Sequence, residues 1–588
     1  MPDGIGYEQF IEDVYINSIR SVLIIDDDYP TFQEVLSNEK RQDPSRAKSW
    51  HSQPEKVLNV VNHFRQKRNW LVDIHDGLNI PDEVELSIAS HLYQSDLLIL
   101  DYQLEQEAGR GDLAIKVLHT LAQTPHFNMV VVHTGNDVLP TFSEVLLSFM
   151  QPILGNFLEE QRERAEEILE KLEDDNDGVS EKISKSLNIQ TYTIFRKNPK
   201  CLRQWIKDEV EFLCGALAHC SELKIGEKIL LFKYNFSKLE EKLLNENFFS
   251  QDTYEKVLWP NSGSGPKWVR VGNVFIAIAN KDEAEQTDLP TILHQALVDW
   301  NPMPSRLILS KIRMELERNG VVAEDKVLDD PKLFAFWYKD LLSGKTDGAR
   351  FSEIRKILQR HAIDLMQAIE NPVMEFSKNL IEFELAENGK VNGIVKTRFG
   401  VDLDNNDAEL ESARAHNAYV CSHLPSGWHL NNGHVLSFDG HFWVCLSPSC
   451  DLVPKQKTGG HFGEMKGYMP FFAVRLYPAS QGLDQSDINS NRFLFIEIGG
   501  EIKNLSFNDP VDDRSNPHWY LLYASNDGEF SPNTMELTVF KGRWCEETNE
   551  LKYSSHEACV IKQLYPEYAI NLTQRLGQNF TRVGLGFK

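Results

Sequence analysis

Between residues 16 and 220, apolar runs of strand length alternate with stripes at helical spacing. Ser21–Ile25 is apolar until it stops at Asp26, Asp27 and Asp28. Val57, Val60, Val61 and Phe64 fall on one face of a helix over Pro54–Phe64. Trp70–Ile74 is a second apolar stretch, and Pro81 stands where proline favours the first turn of a helix. Asp96–Leu100 ends at Asp101, and Leu113, Val117, Leu118 and Leu121 form a third helical stripe. Met129–Val132 ends at His133-Thr134-Gly135. Ile189–Phe195 reads as a fifth strand ahead of Lys197-Asn198-Pro199, and Leu202, Trp205, Ile206, Val210 and Leu213 mark a closing helix. Strands that are apolar throughout and interleaved with helices predict an α/β fold, a five-stranded parallel sheet covered on both faces.

Farther along, Lys228–Phe236 reads as a strand and Leu239–Asn247 as a helix. Val269–Ala279 reads as a hairpin turning at Gly272-Asn273. Asn261–Gly265 is glycine-rich but lacks a following Lys-Ser/Thr, so it predicts a loop rather than a phosphate cradle. Helical stripes follow at Ile292–Leu297, from Ser305 to Gly320, at Lys332–Leu342 and at Ser352–Glu370. Arg306, Lys311, Arg313 and Arg318 make one local basic helix, best read as a solvated face. Beyond Asn388–Glu409, polar and turn-rich, strand-like runs recur at Val435–Phe438, His441–Leu446, Phe471–Tyr477, Phe493–Glu497, Trp519–Tyr523 and Thr538–Val539. These predict three parts: an α/β domain over 1–222, an α+β middle domain over 223–400, and a mainly-β, barrel-like domain over 401–588.

Open parallel sheets place their sites at the carboxyl ends of strands. There the pattern sets Asp26 and Asp27 after the first strand, Asp101 after the third, Thr134 after the fourth and Lys197 after the fifth. Three carboxylates from adjacent strand ends repel one another unless a divalent cation sits among them. Few protein oxygens and several waters suit Mg²⁺. A hydroxyl and a lysine beside them suit the oxygens of a transferred phosphoryl group.

The segments SVLIIDDDYP, SDLLILDYQLEQEAGRGD, VVVHTGND and IFRKNP, in that order, resemble the receiver domain of bacterial response regulators, a flavodoxin-like fold. The likeness spans Ile16–Cys220, about a third of the chain. It implies that Asp101 is the phosphoacceptor and that Asp26 and Asp27 hold Mg²⁺ together with Asp101. The backbone carbonyl of Gln103 would be a further ligand. Thr134 would follow the phosphoryl group and Lys197 would pair with it. The chain departs from the family pattern where Asn198 separates Lys197 from proline, where Glu105 stands four residues after Asp101, and where Ile194 replaces an aromatic residue three before the lysine. Insertions are expected at about 31–53 and at about 139–188. The second contains a charged helix over Phe157–Leu172 and an acidic turn at Asp174–Gly178, which lacks the spaced ligands of a Ca²⁺ loop. It enlarges the region that serves receivers as an output face, which suggests an unusual partner or intramolecular docking.

Composition narrows the partners. The chain has 588 residues, with 61 Lys+Arg against 87 Asp+Glu and a net charge of −26. That balance argues against a large nucleic-acid surface, which needs basic side chains to displace counterions, and no helix-turn-helix pattern is evident. The first residues show no basic stretch leading an apolar core, and no apolar run approaches the roughly 18 residues of a membrane span. Eight scattered cysteines then read as reduced thiols of a cytoplasmic protein. Six of the 18 histidines fall between His416 and His461, with Cys421, Cys445 and Cys450 among them. The spacing is not that of a zinc finger or ribbon. Cys450 beside Asp451, with His441 and His461 available, could form a Cys-His nucleophile only with a base in hydrogen-bond reach. The phrase GHVLSFDGHFWVCLSPSCDLVP is similar to small barrel domains of bacterial conflict-system proteins.

The resemblance implies a phosphorelay protein whose Asp101 takes a phosphoryl group from a histidine kinase. It would then signal to another receiver or effector, or buffer phosphoryl groups. In architecture the whole chain resembles receiver proteins of anti-phage two-component systems of the Detocs type. Two other expectations stand beside it: an effector with a hydrolase or nuclease around His441, Cys450 and Asp451, and a docking scaffold that is never phosphorylated.

Overall fold

In the computed structural model, Ser21–Ile25 (β1), Leu71–His75 (β2), Leu97–Asp101 (β3) and Asn128–Thr134 (β4) run parallel, as the alternating pattern requires. Val257–Leu258 (β5), Lys267–Val271 (β6) and Val274–Asn280 (β7) complete the same sheet in the order β2-β1-β3-β4-β7-β6-β5. The structure describes residues 6–580 except 32–53, 76–94, 105–110, 125, 156, 176–177, 251, 255, 261–264, 283–284, 286–287, 320–330, 344–346, 455–466, 480–483, 489, 491 and 510–516. The insertion expected at 31–53 (past Thr31), the helix opened by Pro81, Glu105 and His461 lie outside them. The chain divides into two compact units, Met1–Met314 and Glu315–Lys588.

Among the described residues the N-terminal sheet has seven strands, not five. β7 lies parallel to β4 with Asn128 opposite Val274 and Thr134 opposite Asn280, so the parallel part runs β2-β1-β3-β4-β7. β6 and β5 extend that edge antiparallel. β3 and β4 are buried along their whole length and β7 in all but its last residue, which is why their sequences are apolar on both faces. Helix Asp112–Ala122 turns Ala114, Ile115, Val117, Leu118 and Leu121 into the core beside them.

Ile189–Phe195, expected as the fifth strand, is instead helix Ile189–Lys197. Asn188 caps it, its side chain accepting from the N–H groups of Gln190 (2.9 Å) and Thr191 (3.2 Å). Tyr192 and Phe195, three apart, bury together against a second helix, Ile225–Asn245, where the Phe195 ring stacks on Phe236 at 4.7 Å. Lys228–Phe236, expected as a strand, lies inside that second helix. Its Glu240, almost fully buried, accepts from the N–H groups of Ile153 and Leu154 and from the Tyr192 hydroxyl. The insertion therefore does not end at residue 188: helices occupy the chain from Val138 to Asn245, and the sheet resumes only at β5 to β7. A domain boundary at 222 would cut between strands of one sheet.

The second unit begins with helices Pro331–Ser343, Asp347–Asn388, Val391–Phe399 and Asn406–Cys421. Gly400, at φ 70°, ends the third in the left-handed conformation glycine tolerates. Ser422–His423 (β8), His434–Phe438 (β9), His441–Cys445 (β10), Tyr468–Pro478 (β11), Phe493–Ile498 (β12), Glu501–Ser506 (β13), Trp519–Ser525 (β14), Glu536–Cys545 (β15) and Glu550–Leu564 (β16) follow. β9, β10, β11, β14, β15 and β16 pair in that cyclic order, all antiparallel, and close into a barrel. Trp443, Phe471, Leu436, Val539 and Val560 fill it. The hairpin β12–β13 pairs with the end of β11.

Candidate functional site

Sheet polarity alone brings the acidic residues together. β1 and β3 are adjacent and parallel, so Asp26, just past β1, and Asp101, the last residue of β3, leave at the same end. Ligand oxygens of Asp26, Asp27 and Asp101 lie within 4.8 Å of one another. Asp26 and Asp101 are each 3% exposed, while Asp27 is half-buried. The Asp26 carboxylate accepts the N–H of Asp28 at 3.0 Å, and Asp101 Oδ1 accepts the N–H of Gln103 at 3.1 Å. The second bond folds residues 101–103 into a tight turn back over the strand end. Gly111 packs against that turn; a Cβ there would stand 2.3 Å from the Tyr102 carbonyl oxygen.

The cation that meets these carboxylates is Lys281, directly after β7. Its Nζ donates to Asp101 Oδ2 at 2.6 Å and stands 3.9 Å from Asp26 Oδ2. Its backbone N–H donates to the Thr134 carbonyl at 2.8 Å, which keys the loop after β7 to the end of β4. Asn280 adds a side-chain donation to the Asn136 carbonyl at 2.8 Å.

Lys197 is not at this site. It ends a helix of the insertion, and its Nζ donates to the carbonyls of Trp259, at 3.0 Å, and Pro260. Burial there lowers its pKa to about 8. The reason is topological: β7, parallel to β4, carries Lys281 to the Asp101 end of the sheet, whereas Lys197 ends a helix beside the β5 edge. Lys281 is legible in VFIAIANK, an apolar run that continues past the hairpin's Ala279 to a lysine. The departures around Lys197 recur in kind: Asp282 follows Lys281 and Ile278 stands three residues before it.

Electrostatics fit a cation site. Burial raises Asp26 to about 7 despite the pull of Lys281, and the Asp101 charge adds to the rise. Burial and the charges of Asp101 and Asp28 raise Asp27 to about 6. Burial alone would lower Lys281, but Asp26, Asp101 and Asp28 outweigh it and hold its pKa above the usual lysine value. Three hard oxygen donors gathered at one end of the sheet, two of them with proton affinities pushed up by burial, suit Mg²⁺. Among the described residues this is the one group of His, Cys, Asp or Glu side chains close enough to hold a metal.

Thr134, fully buried at the end of β4, accepts the N–H of Asn136 at 3.0 Å and lies 3.3 Å from the Thr141 hydroxyl. In the second unit, no hydrogen bond joins His441 to Cys450. His441 Nδ1 meets the Arg475 guanidinium at 3.2 Å. Cys450 is exposed and its thiol donates to Asp451 at 3.3 Å, which raises its pKa, the opposite of what a nucleophilic thiolate needs.

A parallel strand order of β2-β1-β3-β4-β7, with carboxylates and a lysine gathered at the strand ends, is a doubly wound α/β arrangement. Residues 18–187 match the family model described as the response receiver domain. The match ends before β7 and covers under a third of the chain, so Lys281 lies outside it. No curated protein matches the chain, and no solved structure does. No helix among the described residues is long and apolar enough to cross a membrane.

Proposed function

We propose that the N-terminal unit is a phosphoacceptor in a two-component phosphorelay, with Asp101 as the residue modified. The observation that carries this reading is the meeting of three strand-end carboxylates with Lys281, whose Nζ is 2.6 Å from Asp101. An Asp101 oxygen forms the new O–P bond as the P–N bond of a kinase phosphohistidine breaks and the freed ring nitrogen takes a proton. Asp26, Asp27, Asp101 and the Gln103 carbonyl would hold Mg²⁺, which when bound neutralises charge on the transferred group. Lys281 pairs with a phosphoryl oxygen, and Thr134 donates to another. Output runs through protein contacts or through storage of phosphoryl groups. Net charge −26 and a tail of helices and an antiparallel barrel support this over DNA binding. A receiver joined to such a tail also supports the narrower role of an anti-phage phosphate buffer of the Detocs type.

The test is incubation of the full chain with acetyl phosphate or a histidine kinase and Mg²⁺, with Asp101→Asn alongside. Acid-labile phosphate is expected on the wild type and not on the variant. Wild-type protein that takes up none would rule out phosphotransfer and favour the docking scaffold.

A further inference from the structure

Thr134 has one hydroxyl proton, and its surroundings fix where that proton goes. Its oxygen accepts the Asn136 N–H at 3.0 Å, so that side is occupied by a donor. The other neighbour is the Thr141 hydroxyl at 3.3 Å. Thr141 sits in the first turn of helix Val138–Ser148, and its own hydroxyl reaches the Asp137 carbonyl at 3.2 Å. Both threonines are buried, at 0% and 1% exposure. Were Thr141 to donate to Thr134, the Thr134 proton would have no acceptor among the described residues, and the Asp137 carbonyl would keep only the Thr141 backbone N–H at 3.4 Å. A buried hydroxyl without an acceptor is costly. The arrangement that satisfies every group is a one-way chain, Thr134 to Thr141 to the Asp137 carbonyl.

We infer that Thr141 is a positioning residue that competes with the phosphoryl group for the Thr134 proton. The inference rests on the phosphoacceptor reading above. With Asp101 unmodified, Thr141 holds that proton at the start of the helical insertion. When Asp101 carries a phosphoryl group, Thr134 gives the proton to a phosphoryl oxygen. Thr141 then keeps only its bond to Asp137, so the first helix of the insertion loses a tie to the sheet. The state of Asp101 is thereby transmitted into the inserted helices through one hydrogen bond.

The test uses the full-length chain with Mg²⁺ and beryllofluoride as phosphoryl mimic. Thr141→Val keeps the shape and removes the competing acceptor, so the mimic binds about three- to tenfold tighter, the worth of one hydrogen bond. Thr141→Ser restores the wild-type affinity. Equal or weaker binding by Thr141→Val overturns the inference. A second measurement needs no variant: in threonine-labelled protein without Mg²⁺, the Thr134 hydroxyl proton exchanges slowly and shows a cross-peak to Thr141. Absence of that signal also overturns it. If the cross-peak is present but wild type and Thr141→Val alike fail to bind the mimic, the phosphoacceptor reading has failed; the proton chain then survives as a structural bond and the switching claim falls with that reading.

Discussion

Replacing Lys281 by Ala tests the topology and the chemistry together. The side chain is 30% exposed, whereas those of Asp101 and Asp26 are 3% and 5% exposed. Breaking a fully buried pair costs about 3–5 kcal/mol and an exposed one about 0–1. A lysine open at one end falls between, so Lys281→Ala is expected to lose ~2 kcal/mol of stability without Mg²⁺. The transfer step loses a cation aimed at the moving phosphoryl group, which is worth about 10²-fold in rate. Lys197→Ala gives up contacts beside the β5 edge, among them those to the Trp259 and Pro260 carbonyls, costing about 1 kcal/mol, with phosphorylation within about twofold of wild type. The assay is the rate of acetyl-phosphate labelling at saturating Mg²⁺, beside urea unfolding of each variant. If Lys197→Ala abolishes labelling while Lys281→Ala does not, the assignment of β7 as the receiver's fifth strand is wrong.

Two more outcomes follow from the same geometry and a third from the barrel. A fragment ending at residue 222 keeps Asp101 but loses β7, so it should take no phosphoryl group, whereas one ending at 314 should; equal labelling of both would refute the role of β7. Protons compete with Mg²⁺ at Asp26, raised to about 7, and Asp27, raised to about 6. Metal-free stability from these groups falls as pH rises through those values, and Mg²⁺ affinity by calorimetry should climb about tenfold or more from pH 6 to pH 8, where a flat profile would count against the site. His434 is held to about 3, first by burial and then by His429 and Arg355. Its contribution is complete above pH 6.5 and lost as pH falls below it, by about 2 kcal/mol at pH 5. His434→Gln, which keeps an acceptor for the Asn431 N–H, should flatten that part of the acid transition in melting curves.

The sequence by itself determined the parallel strands β1 to β4, the carboxylates at their ends and the hairpin at Gly272-Asn273, because each follows from local pattern. Runs buried on both faces must be apolar throughout, and a parallel sheet must release Asp26 and Asp101 at one end. It also carried both competitors for the fifth strand, since Ile189–Phe195 and Val274–Asn280 are each rich in β-branched and aromatic residues and each lead to a lysine. Only the tertiary structure chose between them. The β-branched and aromatic residues of Ile189–Phe195 favour a strand when read alone, yet Asn188 caps them into a helix, and Tyr192 and Phe195 bury on Glu240 and Phe236. The edge of β4 was thereby left to β7, more than a hundred residues downstream of β4 in sequence. Loop-closure entropy grows only with the logarithm of loop length, so a helical insertion whose apolar residues join the core of the sheet can separate two neighbouring strands at small cost. The lysine of the site was thus set by strand pairing, a long-range choice that local periodicity does not encode.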